Sequence, residues 1–412
     1  MSSIRLLVSL VVFNATALAW PGAGAAKVVV VGTGDPTLDV PAVQAAVDRG
    51  GDVILRGHFS FDAAPTIVPE LPDFALATVR VSREVTISGT GDVDEEMTTI
   101  EGGQVPFEVE AHDSSVTIQR LRFLHPRIEA IDVSAVSGLT IRSCRIEGVE
   151  PLDGFGANAI GINTTFNPPT PGSPGAPERI SGKLSIVHNV IDLAGSTGAF
   201  NTIGVAVFSA GVAGAEIDAQ ILGNRIANTT EPAINIRRVA GRVAIERNWI
   251  STADVAGPGP RPDVIRVVNS GSYWIAYNFI ECRWPQAFGI GVFSQFAAWP
   301  IEHAIVLGNH IHMSPPEGTV FGPNSAAMSV RGFASGNLAL ENTIRGRAGN
   351  AMSIFTFQGG VPASNALVLN RLEDFVASAA DIFVGDQVVN TLVIGEGSVE
   401  DHGLGTLIVP LR

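Results

Sequence analysis

Near its middle the chain reads Ile186-Val187-His188-Asn189-Val190-Ile191, which is an apolar residue, two variable residues, Asn, one variable residue and a second apolar residue. The pattern recurs around later asparagines, clearly at Asn224, Asn248, Asn278 and Asn309 and more loosely at Asn342 and Asn370. Upstream, two segments keep the frame but carry Leu121 and Cys144 in the Asn position. A pattern that returns every 20 to 50 residues indicates a solenoid or another repeat array.

A second pattern follows the first along the chain: a small residue, Ile or Met, a variable residue and an apolar residue. It begins as Ala130-Ile131-Asp132-Val133, includes Thr202-Ile203-Gly204-Val205 and ends as Asp381-Ile382-Phe383-Val384. The mean spacing is about 31 residues, and each unit holds short alternating strands without helical periodicity. Each unit is therefore predicted to be one coil of a β-solenoid with a continuous apolar interior.

The recurrent Asn has a physical role at a corner of the coil. Asn tolerates a left-handed backbone in a tight turn, and its amide can bond the Asn of the next coil. The repeat therefore predicts a ladder of asparagines along the solenoid.

These coils resemble the right-handed parallel β-helix of the pectin-lyase-like superfamily, in which an inward Asn joins the second and third strands of a three-strand coil. The resemblance covers roughly Asp52 to Val409. It implies an all-β fold of about 10–11 coils, in which the Ala-Ile-x-Val pattern is the first strand. The superfamily includes lyases, hydrolases, epimerases, adhesins and phage spikes, so the resemblance specifies a fold and not an activity.

The first residues are expected to direct export. Residues 1–26 read as a secretory signal and processing region, with Arg5 before an apolar run and Ala17-Leu18-Ala19 as a cleavage site. No later apolar run reaches the roughly 18 residues that a membrane span needs. The mature protein is therefore expected to be secreted, periplasmic or at the cell surface.

Residues 27–412 are predicted to form a single β-helix domain, in which 27–51 cap the open N-terminal end. A short helix is expected to start at Asp39 as its N-cap, with Pro41 in its first turn. Its apolar face would plug the solenoid with Val40, Val43 and Val47.

Composition excludes several classes of protein. The chain has 40 acidic and 26 basic residues, a net charge of −14 and no basic stripe, which argues against nucleic-acid binding. Lys27 and Lys183 are its two lysines, so a catalytic lysine is nearly excluded. The two cysteines, Cys144 and Cys282, fall about 19 Å apart at about 4.8 Å per coil. A disulfide requires Cα atoms within about 7 Å, so two buried free thiols are predicted.

Alternate side chains of a strand leave the core, so the first strands present an outward ribbon. Its predicted first row is Asp132, Gly161, Gly204, Asn235, Arg266, Gly291, Ser329, Ser353 and Phe383. Its second row is Ser134, Asn163, Ala206, Arg237, Val268, Phe293, Arg331, Phe355 and Gly385. Small residues leave room for a ligand, and the predicted binding residues are Asn163, Asn235, Arg237, Arg266 and Arg331.

Long insertions border this ribbon and are expected to wall a groove, namely Thr165 to Gly182, Ser251 to Pro262 and Ser314 to Ser325. In pectin-lyase-like enzymes the polysaccharide groove usually lies on this face. Late coils add outward or loop aromatics, which are read either as a sugar platform or as packing beneath a loop: Phe293, Phe296, Trp299, Phe333, Phe355 and Phe357.

The leading hypothesis is a secreted protein that binds an acidic polysaccharide, and whether it also cleaves that polysaccharide by elimination stays open. Arg237 and Arg266 would hold a uronate through bidentate contacts. The resemblance to pectin-lyase-like lyases implies that they are also the candidates for the proton-abstracting group. Two alternatives stay open. These arginines could instead pair with Glu231, Asp263 or loop carboxylates, and the whole protein could be a non-catalytic surface spacer or adhesin. A monomer is favoured over a trimeric spike.

Several motifs are absent. The paired-Asp motifs of glycoside hydrolases on this fold do not occur, and the ribbon offers only Asp132, which disfavours that chemistry. No metal site or cofactor is predicted. His310 and His312 lack fixed partners, and no regular acidic motif supports calcium at Asp153, Asp192 or Asp254. A tyrosine base could come only from Tyr273 or Tyr277.

Overall fold

The computed structural model describes residues 27–62, 77–91, 96–149, 157–162, 180–195, 202–208, 216–254, 256, 263–269, 271–321 and 325–411. The predicted signal segment 1–26 and the candidate Asn163 lie outside the described residues. In chain order the elements are β1 Val28–Val31, α1 Pro36–Val47, β2 Gly51–Arg56, β3 His58–Ser60, β4 Ala77–Val81, β5 Val85–Ser88, β6 Thr98–Glu101, β7 Val105–Gln119, β8 Leu121–Leu124, β9 Glu129–Arg142, β10 Arg145–Glu147, β11 Ala157–Ile162, β12 Ile180–Val187, β13 Val190–Asp192, β14 Thr202–Phe208, β15 Ile217–Leu222, β16 Arg225–Thr229, β17 Ile234–Arg237, β18 Gly241–Glu246, β19 Trp249–Thr252, β20 Asp263–Val268, β21 Ser272–Ala276, β22 Phe279–Cys282, β23 Phe288–Ser294, β24 Ile301–Glu302, β25 Ile305–Leu307, β26 His310–Met313, β27 Ala326–Gly332, β28 Ala334–Ser335, β29 Leu338–Leu340, β30 Thr343–Ala348, β31 Asn350–Phe355, β32 Ala366–Ala377, β33 Ile382–Val384, β34 Leu392–Gly395, β35 Val399–Asp401 and β36 Leu407–Pro410.

Strands of successive coils pair in parallel and together form a 34-stranded sheet that wraps around the core. Its first face, called the first sheet, contains β4, the starts of β7 and β9, and then β11, β14, β17, β20, β23, β27, β31, β33 and β35. The second sheet runs from β1 and β2 through β5, the ends of β7 and β9, β12, β15, β18, β21, β25, β29, the start of β32 and β34 to β36. The third sheet contains β3, β6, β8, β10, β13, β16, β19, β22, β26, β30 and the end of β32. The predicted all-β parallel β-helix with three-strand coils is confirmed.

Inward side chains of all three sheets form one continuous core. In the first sheet, Ile131 pairs with Ile160, and Val205 pairs with Ile234, so equivalent apolar residues stack from coil to coil. All four side chains are fully buried. Each such burial contributes about 1.5–3 kcal/mol, which is why the short strands need no staples.

The predicted asparagine ladder is present at the corner between the second and third sheets. The side-chain amide of each Asn donates to the side-chain oxygen of the next, at 2.8–3.0 Å, from Asn189 to Asn370. Each amide also donates to a backbone carbonyl of the preceding coil, as Asn278 does to Ile245 at 2.8 Å. The ladder therefore satisfies buried polar groups at this corner in each coil from Asn189 to Asn370.

The expectation that the Asn itself adopts a left-handed backbone is wrong. The left-handed residue is the one before it, with φ of 56° at His188, 52° at Arg247 and 57° at Tyr277. That residue faces outward, where a side chain meets solvent, whereas the Asn must turn inward to reach the next Asn. Gly223 and Gly308 occupy the same place in two other coils.

The capping helix is confirmed, but it starts earlier than predicted. Its N-cap is Asp35, whose carboxylate accepts from the backbone N–H of Thr37 at 2.9 Å, and Pro36 is the first helical residue. Asp39 is instead buried inside the first turn. Its carboxylate accepts from the N–H groups of Thr33, Gly34 and Ser60 and ties the entering loop to β3.

The apolar face of α1 closes the N-terminal end. Val43 and Val47 are fully buried, and Val40 packs against the same core. The free, buried state of Cys144 and Cys282 is also confirmed. The backbone N–H of Cys144 donates to the Asn189 side chain at 2.9 Å, which places this cysteine at the start of the ladder. Burial raises the pKa of both thiols to about 12.

Candidate functional site

The outward face of the first sheet carries the predicted ribbon, with one register corrected. In β14, Ala206 pairs with Gly161 on one side and Asn235 on the other, and Phe208 pairs with Arg237. The prediction had placed Gly204 beside Asn235 and Ala206 beside Arg237. It was wrong by two residues because Ile203 and Val205 are both apolar, and a period of two does not distinguish them.

Asp263, in β20, is the centre of an arginine cluster on this face. Its carboxylate accepts from Arg266 Nε at 2.9 Å and from Arg331 Nη2 at 2.5 Å. The side chains of Asp263 and Arg331 are 1% and 6% exposed, and that of Arg266 is 11% exposed. Two of the three predicted binding arginines, Arg266 and Arg331, therefore form ion pairs with a buried carboxylate. For Arg266 this is the alternative left open from the sequence, in which it pairs with Asp263 and not with a ligand.

Aromatic side chains enclose Arg331. Its guanidinium lies 4.2 Å from the ring centroid of Phe288, 4.3 Å from that of Phe293 and 5.8 Å from that of Phe357. Phe293 and Phe355 are buried on this face. Phe293 thus packs against the guanidinium of an ion-paired arginine, and Phe355 stacks on Phe288 with ring centroids 6.3 Å apart, whereas the predicted aromatic Phe296 is 41% exposed.

Arg237 differs from the other two arginines because its side chain is exposed at the end of β17. Its Nε donates to Asn235 Oδ1 at 3.1 Å, and its guanidinium lies 4.9 Å from the ring centroid of Phe208. Asn235 is fully buried, and its Nδ2 has no hydrogen-bond partner among the described residues. An exposed cation thus lies beside a buried donor that lacks an acceptor.

The charges around Arg237 set its protonation. Desolvation by the surrounding protein, and then the nearby positive charge of Arg266, lower the pKa of Arg237 to about 10. The side chain therefore stays protonated at neutral pH. Burial raises the pKa of Glu231, although Arg266 and Arg237 oppose that shift. The site is accordingly cationic in character.

A second polar cluster lies on the first sheet nearer the N-terminus. Glu108 of β7 pairs in register with Asp132 of β9, and Arg80 Nε lies 3.3 Å from Glu108. Glu129 accepts from Asn158 Nδ2 at 2.5 Å. Burial, and then the charges of Glu129 and Glu108, raise the pKa of Asp132 well above its usual range.

The expectation that Asp132 is the only carboxylate of the ribbon is therefore wrong. Glu108 belongs to a coil before the first recognised Ala-Ile-x-Val pattern, and Glu129 immediately precedes that pattern. The alternation of Val105-Pro106-Phe107-Glu108-Val109 was a signal that could have extended the ribbon upstream.

The remaining candidates for chemistry lie elsewhere. Tyr273 faces the interior at 2% exposure, and burial raises the pKa of its hydroxyl. His310 and His312 are exposed on the third sheet. Within the part of the chain that the structure describes, no group of three or more His, Cys, Asp or Glu side chains could hold a metal ion.

The third sheet carries an aromatic stack that the sequence reasoning missed. The rings of Trp249 and Phe279 are parallel within 2°, with centroids 6.2 Å apart, and Arg225 lies 4.9 Å from the Trp249 centroid. These residues occupy neighbouring strands, since Arg225 pairs with Trp249 and Trp249 pairs with Phe279. Arg225 thus covers one face of the Trp249 ring, and Phe279 stacks in the next coil.

Of the predicted groove walls, only one is largely described. Residues 163–179 and 257–262 lie outside the described residues, whereas the segment from Ser314 to Ser325 is described except for 322–324. Arg347 Nη2 donates to the carbonyl oxygen of Pro315 at 3.1 Å and anchors that segment to β30. No helix among the described residues is long and apolar enough to cross a membrane.

No protein-family model and no curated protein matches the chain. Solved structures do resemble it. PfbA, a surface adhesin of Streptococcus pneumoniae, is 12% identical with a TM-score of 0.50 over 91% of each chain. A second PfbA structure is 13% identical with a TM-score of 0.49, over 92% of this chain and 98% of that one.

The A-module of the mannuronan C-5 epimerase AlgE6 from Azotobacter vinelandii is 14% identical, with a TM-score of 0.34, over 92% of this chain and 97% of that one. At these identities a likeness concerns the fold alone. The similarity to the pneumococcal adhesin extends over nearly the whole chain and agrees with the strand pairing. The chain is thus a parallel β-helix protein.

Proposed function

We propose that the protein binds an anionic polysaccharide on the outer face of the first sheet, at Arg237 and Asn235. The observation that carries this proposal is the buried Asn235 Nδ2 without a partner among the described residues, beside an exposed guanidinium. A buried unsatisfied donor costs about 1–3 kcal/mol. A uronate carboxylate held by Arg237 would have to enter the space beside the buried Asn235 Nδ2, where it would accept from that group as well and remove the cost.

An extended ligand suits this face better than a small anion. Beyond Asn235 towards the N-terminus, the same column continues with Ala206 and Gly161, whose small side chains leave the surface low. Successive strands repeat every 4.7–4.9 Å or so along this direction. A chain of sugar rings could lie along the column with one carboxylate held by Arg237, while Arg266 stays paired with Asp263.

Binding without cleavage is the activity that we infer at neutral pH. Elimination needs a base near the bound uronate, and the strands β14, β17, β20, β23 and β27 contain no His, Lys or Tyr. Arg237, with a pKa lowered only to about 10, is almost entirely protonated at pH 7. The predicted role of Arg237 and Arg266 in proton abstraction is therefore not part of this proposal.

The setting that we propose is extracellular. Residues 1–26 would act as the export signal, and the mature chain would present its glycan-binding face at the cell surface or in the surrounding matrix. This joins the two hypotheses drawn from the sequence, because an adhesive surface protein needs such a face. The pneumococcal neighbour is described as a surface adhesin, which agrees with this setting but does not carry it.

Affinity electrophoresis through gels that contain polygalacturonate, alginate or neutral dextran tests the proposal. The wild type should be retarded by a polyuronate and not by dextran. Arg237→Ala should weaken binding tenfold or more, since a hydrogen bond to a charged group contributes about 1.5–3 kcal/mol. Arg242→Ala, an exposed arginine on the second sheet, is the matched control and should bind normally.

Two results would overturn the proposal. One is the absence of retardation by both polyuronates, and the other is equal retardation of the wild type and Arg237→Ala. Absorbance near 235 nm on the same substrates reports elimination separately. A rise that depends on Arg237 would show a lyase and would contradict binding without cleavage.

A further inference from the structure

The two ends of the described solenoid differ in how the core is covered. At the N-terminal end α1 covers the core, with Val43 and Val47 fully buried. At the C-terminal end the last strand, β36, pairs with β34 on one side, and no described strand pairs with its other edge. The apolar side chains at this end are 39–63% exposed: Leu404, Leu407, Ile408, Val409 and Leu411.

The free edge of β36 also offers backbone groups. The N–H of Leu407 donates to the carbonyl of Thr391, and that of Leu411 donates to Gly395. In a parallel strand the intervening residue points its N–H and C=O to the opposite side, so those of Ile408 face the open edge. Pro410 has no N–H and shortens the edge that a partner could use.

The last coils are strongly acidic. From residue 372 onward the sequence has one Lys or Arg, Arg412, against seven carboxylates: Glu373, Asp374, Asp381, Asp386, Glu396, Glu400 and Asp401. Most of these side chains are exposed, including Asp386, Glu396, Glu400 and Asp401. The nearby carboxylates Glu400, Asp386 and Asp401 raise the pKa of His402, as expected for a negative surface.

We propose that this C-terminal end, defined by Leu404 to Leu411 and the surrounding carboxylates, docks a basic protein segment. Such a segment would place apolar side chains against Leu407 and Val409 and its Lys or Arg side chains against Asp386 and Glu396. Neither of these two carboxylates forms an ion pair with another described residue. This surface is separate from the proposed glycan site on the first sheet and does not depend on it.

Charge argues against a second copy of this chain as the occupant. Two C-terminal ends would bring the same carboxylates together. The N-terminal end is no better matched, because within residues 27–60 Lys27, Arg49 and Arg56 are offset by Asp35, Asp39, Asp48 and Asp52. A separate, positively charged partner is the occupant that the distribution of charge favours.

The test uses the full chain and a fluorescein-labelled peptide, Lys-Val-Lys-Val-Lys-Val-Lys, with the Glu-Val analogue as its negative control. Fluorescence anisotropy should show binding of the basic peptide, weakened by raising NaCl from 20 to 500 mM because salt screens the carboxylates. The double variant Leu407→Ser, Val409→Ser should weaken binding at least tenfold. The double variant Asp386→Asn, Glu396→Gln should weaken it about threefold.

Matched controls separate this surface from general attraction to an acidic protein. Val320→Ser removes an apolar side chain that is 82% exposed elsewhere, and Glu302→Gln removes an exposed carboxylate elsewhere. Both should bind like the wild type. Equal losses in controls and test variants, or no binding of the basic peptide, would overturn the proposal. So would light scattering that shows a dimer abolished by Leu407→Ser, Val409→Ser, because the occupant would then be a second copy.

Discussion

The asparagine corner and the outer face of the first sheet are built from the same coils but follow different rules. At the corner, each coil makes the same contacts, an amide to the next Asn and to a carbonyl of the preceding coil. On the first sheet, each coil makes its own contacts: a carboxyl cluster at Asp132, an exposed Arg237 and an enclosed Arg331. Repetition therefore marks what holds the solenoid together, and its breakdown marks where a ligand can be recognised.

The corner repeats because every coil presents the same buried backbone donor and acceptor there. An Asn side chain supplies both the acceptor and the donor that these backbone groups need. Selection for folding alone therefore keeps Asn at this position in the repeat. The outer face has no such common demand. Its residues are free to differ, and the contacts that they make join coils far apart in the sequence.

The largest effect should come from breaking the middle of the ladder. Asn278→Ala would leave unpaired the Ile245 carbonyl and the backbone N–H of Asn248, and the Asn248 side-chain amide would keep only its bond to the Ile221 carbonyl. Each buried unsatisfied group costs about 1–3 kcal/mol, so a loss of about 4 kcal/mol is expected. Urea unfolding followed by circular dichroism measures it.

Asn189→Ala is the matched control, since Asn189 begins the ladder and accepts from the backbone N–H of Cys144 but from no side-chain amide of a preceding Asn in the described residues. We expect a smaller loss there than at Asn278. Equal losses at the two positions would show that the ladder does not act through its continuous bonding.

Opening the arginine cluster should have the next largest effect. Arg331→Ala leaves the buried Asp263 paired with Arg266 and empties the space between Phe288 and Phe293. Removing one partner of a buried ion pair costs about 3–5 kcal/mol, and the remaining Arg266 should hold the loss near the lower end of that range. Thermal unfolding should register this loss.

Millimolar methylguanidinium should restore part of the stability of Arg331→Ala, because it can occupy the emptied space beside Asp263. The same additive should leave the wild type unchanged. A variant as stable as the wild type would mean that the enclosed ion pair contributes nothing to the first sheet.

The carboxyl cluster should make stability depend on pH. The pKa of Asp132 is raised in the folded state, so the folded chain binds more protons than the unfolded chain between the two pKa values. The contribution of Asp132 to stability should therefore be most favourable in acid, below the unfolded pKa of about 3.9, and fall as pH rises towards the folded pKa. The slope is about 1.4 kcal/mol per pH unit for one full proton.

Asp132→Asn keeps the shape and removes the titration. Denaturant midpoints measured from pH 4 to pH 8 should fall less steeply for this variant than for the wild type, and the variant should be the more stable at pH 8. Parallel pH profiles for the two proteins would refute the assignment to Asp132.

The smallest effect on stability is expected at the proposed binding residue. Arg237→Ala removes an exposed side chain but also the donor to the buried Asn235 Oδ1, so the free energy of unfolding should fall by about 1 kcal/mol. The same variant should lose glycan binding. A large destabilisation would instead place Arg237 with Arg331 as part of the structure.

The periodic parts of the molecule could be predicted from the sequence for the same reason that they repeat. The Asn ladder, the inward Ile131 and Ile160, the two free cysteines and the apolar face of α1 all follow from local patterns. The predicted start of α1 was wrong because Asp35 and Asp39 are both good N-cap residues. Which of them caps the helix depends on a distant contact, since the carboxylate of Asp39 accepts from the backbone N–H of Ser60.

The outer face could be predicted only in part. Asn235, Arg237 and Arg266 were placed correctly on the ribbon, since their strand keeps the regular period. The pairing of Asp263 with Arg331 joins residues 68 positions apart, and no local pattern reports it. The carboxyl cluster was missed because the coil that holds Glu108 precedes the first clear repeat.

Hydrogen–deuterium exchange with and without a saturating polyuronate tests most directly the claim that the first sheet is the recognition face. With polyuronate bound, we expect slower amide exchange in peptides that contain β17 and β20, around Asn235, Arg237 and Arg266. Exchange in β19 and β22 of the third sheet should not change. Protection confined to the Trp249–Phe279 stack, or no protection in any peptide at saturation, would contradict it.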